Sequence, residues 1–136
     1  MTIGQARGAL SIFWIAASAP LILLASIWTI LSRSMSWELA WSWLGPLIGP
    51  QLSIIIAVWS ATGTTAETKD VKSKSAFWGT ILISGVYFIA LYLVILLSPF
   101  SDNSLEELLK KSGWWLAFIQ GFANIALGKF FIENQN

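Results

Sequence analysis

The chain contains no cysteine and no histidine. Those two absences exclude disulfides, thiolate chemistry, haem ligation by imidazole and the usual zinc sites. Charge is scarce as well. Only 11% of the 136 residues are charged, roughly half the share of a soluble domain, and the formal net charge is +1. No Lys/Arg cluster is dense enough to follow a phosphate backbone, which excludes nucleic acid as a partner. Lys69, Lys72 and Lys74 are interleaved with Glu67 and Asp70, the pattern of a solvated loop. The acids Glu38, Glu67, Asp70, Asp102, Glu106, Glu107 and Glu133 all fall between the apolar runs or at their ends. There is therefore no intramembrane aspartyl pair and no visible acid/base pair. Asp102, Glu106 and Glu107 could hold a divalent ion, but helix capping and ion pairing account for them more economically. No reaction, cofactor or small-molecule substrate is implied, and the expectation is a non-enzymatic protein.

What the chain has instead is hydrophobic residues, 56% of the total, with nine tryptophans. They gather in runs at 8–32, 43–61, 76–100 and 113–132. At about 1.5 Å per residue each run is long enough for ~30 Å of hydrocarbon. A soluble helix would show polar residues every third or fourth position, and these runs are apolar all round. The fold class predicted is all-α: a polytopic integral membrane protein with four transmembrane helices in one domain, 1–136. The second span is Gly-Pro-broken, and a short interfacial amphipathic helix at 104–112 precedes the last span. The partner this implies is a lipid bilayer, of the bacterial inner-membrane type. Arg7 and Ala17-Ser18-Ala19 imitate a signal peptide with its cleavage site, but Pro20 would directly follow the cut and the run continues to Leu31. The expectation is a true first span.

The spans differ in character. The first holds Pro20 near its middle, where a kink is expected, and a small-residue seam at Ser11, Ser18, Ala25 and Ser32. Trp37, Trp41 and Trp43 follow in a connection with Arg33 and Glu38, and read as interfacial anchors. The second span opens with two Gly-Pro pairs, Gly45-Pro46 and Gly49-Pro50, followed by Gln51. Pro46 suits a first turn. Pro50 demands a bend inside the membrane, so the segment is either a bent full span or a re-entrant element. Ala61 to Ser75 form the polar loop. In the third span Ala76, Thr80, Ser84 and Gly85 make a small face. Ser104 and Glu107 form a capping-box pattern, and Glu106/Lys110 and Glu107/Lys111 are acid-first pairs at helical spacing.

The last span is the polar one. Trp114 and Trp115 anchor its start. Ala117, Gly121, Asn124 and Gly128 draw a seam of small residues along one face, with Gln120 one turn before Asn124. An amide in hydrocarbon must face protein or water. Gln120 and Asn124 are thus candidates for interhelical hydrogen bonding or for lining a narrow aqueous path. The hinge candidates are Pro20, Gly45, Pro46, Gly49, Pro50 and Gln51. Length and span count resemble the small four-helix multidrug exporters. Those use a glutamate in the first span, and 8–32 holds no acid. With four spans, Arg7, Lys69, Lys72, Lys74 and Lys129 share a side against Arg33, Lys110 and Lys111, which favours cytoplasmic termini. The functional expectation is a homo-oligomer forming an ion-conducting or membrane-permeabilising pore, holin-like or a stress or defence effector. The alternatives are an accessory membrane subunit of a larger complex or a small-solute transporter.

Overall fold

The computed structural model describes residues 1–31, 37–61, 70–71, 73–101 and 104–133. Arg33 of the first connection, the loop residues 62–69, Lys72, Asp102 and the tail 134–136 lie outside them. The described residues form four α-helices: α1 (Ile3–Leu31), α2 (Trp37–Ala61), α3 (Lys74–Leu97) and α4 (Leu105–Glu133). A single 3-10 turn, Ser98–Phe100, follows α3 with Pro99 inside it. Three of the helices, Ile3–Leu31, Trp37–Ser60 and Lys74–Leu97, are long and apolar enough to cross a membrane.

Local chemistry sets the helix starts. Thr2 and Gln5 close a reciprocal capping box: Gln5 N–H donates to Thr2 Oγ1 at 3.3 Å, and Thr2 N–H to Gln5 Oε1 at 3.1 Å. α1 therefore begins before the apolar run does, and Arg7, the basic residue ahead of that run, is buried at 4% exposure. Ser73 caps α3 by accepting from Ala76 N–H. Ser104 caps α4 by accepting from Glu107 N–H at 3.3 Å, and Lys110 reaches Glu106 at 2.7 Å. That contact holds the Glu106 carboxyl below its usual range, through its hydrogen bond to Lys110 and then the lysine's charge.

Two expectations change here. The interfacial helix 104–112 is not a separate element: α4 runs unbroken from Leu105, because Ser112 and Gly113 continue the helical ladder and nothing removes a donor there. The second span is not broken into pieces either. α2 keeps helical backbone through Pro46 and Pro50, as α1 does through Pro20.

The helices alternate in direction. Trp59 of α2 donates to Ser11 of α1 at 2.9 Å, and Tyr92 of α3 to the Ala17 carbonyl of α1 at 2.9 Å. Phe77 of α3 meets Phe130 of α4, with ring centroids 5.9 Å apart. Met1 C=O accepts from Val71 N–H at 3.1 Å, and Thr2 bridges Asp70. The N-terminus, the start of α3 and the end of α4 thus share one end of the bundle. At its centre Trp14 is fully buried against Phe88, 4.7 Å between centroids, and donates its indole N–H to Ser84 at 3.2 Å. Apolar side chains cover the outside, among them Ile12, Leu23, Ile30, Leu82, Ile89 and Ile125.

Truncating the central indole leaves a cavity against Ser84, Tyr87 and Phe88 of α3. Trp14→Ala is expected to lower stability by about 3–5 kcal/mol, and Leu82→Ala on the outer face by about 0.5 kcal/mol or less. SDS titration of the purified protein in mixed micelles measures both.

Candidate functional site: an amide cluster on a proline-bearing helix

A proline at position 50 has no N–H, so the Pro46 carbonyl has no intrahelical donor. α4 supplies one. Gln120 Nε2 donates to Pro46 O at 2.6 Å and also lies 3.2 Å from Leu47 O. α3 supplies a second donor, the Tyr87 hydroxyl, to Leu47 O at 2.5 Å. Gln51, fully buried, completes the cluster. With its amide nitrogen turned toward the Leu47 and Ile48 carbonyls at 3.1 and 3.0 Å, its oxygen accepts from Gln120 Nε2 at 3.0 Å and lies 3.1 Å from the Asn124 amide.

The same arrangement recurs on α1. Tyr92 donates to Ala17 O, one helical turn before Pro20. The chain has two tyrosines, both on α3, and each donates to the carbonyl three residues before a proline in a different helix, beside the one that the proline leaves without its N–H. Their role is not visible in the sequence, since spacing along one run does not say which neighbour a side chain meets.

The α4 seam divides. Gln120 turns into the protomer and is buried, Asn124 is half-buried at the margin, and Ala117 is exposed. A Cβ built on Gly121 or Gly128 meets nothing within 4 Å, so these glycines are not what brings helices together inside the protomer. Ala117 and Gly121 instead line a shallow outer groove of about 280 Å³ with Phe118, Phe122 and Ile125. Gly45 and Gly49 likewise have open space beside them, and Pro20, Pro46 and Pro50 are exposed.

Among the expected anchors, Trp37 and Trp41 stack edge-to-face at 5.2 Å on the surface, and Trp114 is exposed. Trp43 and Trp115 are half-buried, and the Trp43 indole N–H has no partner. Among the described residues no three His, Cys, Asp or Glu side chains gather as metal ligands would. The chemistry on offer is that of uncharged donors and acceptors, able to satisfy carbonyls or to replace water around an ion. No family model, curated protein or solved structure matches the chain.

The cluster makes a specific coupling testable. Gln120→Leu strands the Pro46 carbonyl and is expected to cost about 1–3 kcal/mol. Pro50→Ala restores the missing N–H, so Gln120→Leu/Pro50→Ala should be more stable than the sum of the two single losses. A double-mutant cycle on unfolding in micelles reads the coupling; strictly additive losses would mean that Gln120 does not serve that carbonyl.

Proposed function

We propose that this chain is a non-enzymatic, four-span membrane component that self-associates along α4 and forms a narrow polar path, as a holin-like or membrane-permeabilising stress or defence effector does. The observation that carries this reading is the open α4 stripe. Gly121 and Gly128 have no neighbour within 4 Å of a built Cβ, while Asn124 sits half-buried between them. Small residues that no helix of the same protomer fills suit close approach by a helix of another copy. An amide at the edge of such a contact can solvate an ion without holding it.

α4 is the fourth span in this proposal. Its 29 residues extend about 43 Å. Gln120, Asn124 and the charges near its ends dilute its apolar character. Yet Trp114, Phe118, Phe122 and Ile125 are exposed, and they make an apolar stripe suited to acyl chains. Lys129, near the end, snorkels to headgroups. In this arrangement the end that carries the N-terminus, Lys74 and Lys129 is cytoplasmic by the positive-charge bias. α2 bends at its prolines without leaving the bilayer.

The lack of native cysteine makes crosslinking clean. Gly121→Cys should form a disulfide-linked dimer in oxidised proteoliposomes, and Leu82→Cys on α3 should not. Wild-type liposomes should leak ions, and Asn124→Leu should cut that flux several-fold. Crosslinking without flux would favour the accessory-subunit reading, with the stripe serving assembly alone. Absence of both would overturn the proposal.

A further inference from the structure

The grooves on the outside of the bundle differ in what surrounds them. The one between α1 and α2 is lined by Ile15, Ile55, Ile56, Trp59 and Ser60. The one along α4 is lined by Ala117, Phe118, Gly121, Phe122 and Ile125. Neither has a charged side chain in its lining. A further groove, of about 360 Å³, lies between the last turns of α3 and the start of α4. Leu93, Leu97, Leu108 and Trp115 give it an apolar lining, and Lys111 joins them.

The side chains above that groove stand in a definite order. Trp115, Lys111 and Glu107 are four residues apart, so they form one stripe of α4, each about 6 Å further toward the helix start than the last. Going outward, an indole is followed by an ammonium and then by a carboxylate. Ser104 accepts from Glu107 N–H and so fixes where the helix begins and at what level that carboxylate stands. Beside the stripe, Lys110 is held by Glu106 at 2.7 Å, a pair that neutralises itself. Ser112 is buried and donates its hydroxyl to Leu109 O, so it offers the groove no donor. Trp114 is exposed and Trp115 half-buried, as indoles at the level of ester and headgroup are.

A helix ~10 Å across takes roughly 420 Å³ per turn, more than this groove holds. A lysine and a glutamate at its edge also disfavour the core of a protein contact. A single alkyl chain is thin enough to lie in it. We infer that the groove between α3 and α4 binds one phospholipid of the phosphatidylethanolamine class. An acyl chain lies along Leu93, Leu97 and Leu108, and the Trp115 indole stands at the ester. The Lys111 ammonium meets the phosphate, and the Glu107 carboxylate meets the primary ammonium beyond it. In the lipid the anion lies inside the cation; on the stripe the cation lies inside the anion. An ammonium has three donors, so Lys111 holds a phosphate beside another acceptor. Phosphatidylglycerol brings no cation for Glu107, and the quaternary ammonium of phosphatidylcholine brings no N–H. The site rests on α4 being the fourth span, as proposed above, and not on self-association.

Native mass spectrometry of the whole chain tests it. The detergent carries equal amounts of phosphatidylethanolamine, phosphatidylglycerol and phosphatidylcholine with the same acyl chains, and bound lipid is counted per chain. The wild type is expected to keep one phosphatidylethanolamine in preference to the other two. Lys111→Gln should lower that retention about fivefold. Glu107→Gln should move the preference to phosphatidylglycerol, and Lys110→Gln should behave as the wild type. All three positions are exposed, and circular dichroism checks that the helices persist. Equal retention of the three lipids by the wild type would reveal an ordinary lipid boundary and overturn the site. Retention indifferent to Lys111→Gln, or a wild-type preference for phosphatidylglycerol, would overturn it too. In liposomes, maleimide reaction at Lys110→Cys but not at Phe118→Cys checks the α4 span separately. A lost lipid preference with Phe118→Cys protected therefore counts against the site alone.

Discussion

A proline within a membrane helix removes a donor from a carbonyl in a solvent that offers no replacement. The rest of this structure can be read as the answer to that constraint. Pro50 leaves the Pro46 carbonyl without its N–H, and Gln120 of α4 comes within 2.6 Å to supply one. The turn beside it takes the Tyr87 hydroxyl. On α1, Tyr92 donates to Ala17 O, three residues before Pro20. The donors come from α3 and α4, the helices without an internal proline in their apolar stretches. Two unbroken helices thus brace two weakened ones.

That division of labour explains where the polar side chains point. Gln120 and Gln51 are buried because their work lies inside the protomer. Ser84 is buried because it receives the Trp14 indole, which would otherwise bring an unpaired N–H into the core. Thr80 bonds back to the Ala76 carbonyl at 2.8 Å and lies 3.4 Å from the Ala126 carbonyl of α4. The outward faces are left almost wholly apolar. In a soluble protein that surface would be an aggregation hazard, and in a bilayer it is the ordinary solvent boundary.

Much of the helical layout is legible in the residues. Ser73 and Ser104 mark helix starts by a mechanism that depends only on near neighbours, and the runs announce their length directly. Thr2 and Gln5 carry an equally local signal, a capping box that extends α1 back past Arg7. The amphipathic segment from Ser104 looks separate because its charges stop at Lys111. It is continuous with the apolar stretch because a change of polarity is no obstacle to a helical ladder. The tyrosines and the split of the α4 seam are not legible. Each depends on which neighbour stands at which angle, and a sequence without a soluble helix's polar face carries little record of that angle.

The seam is the part of α4 that the protomer's own helices leave open. Ala117, Gly121, Asn124 and Gly128 lie along one side of α4, yet the protomer's own helices bury the adjacent side, through Leu116, Gln120, Ala123 and Leu127. Gln120 is spent on a carbonyl of its own chain, and this removes it from the lining of any aqueous path. Asn124 is placed differently. Its amide touches the same cluster through Gln51 and remains half-buried beside open glycines. In the self-association proposed above, it is the residue that would face both a neighbouring copy and the interior amides. The contact with Gln51 gives an amide a role there that another alanine could not fill, and the open glycines beside it leave it half-buried.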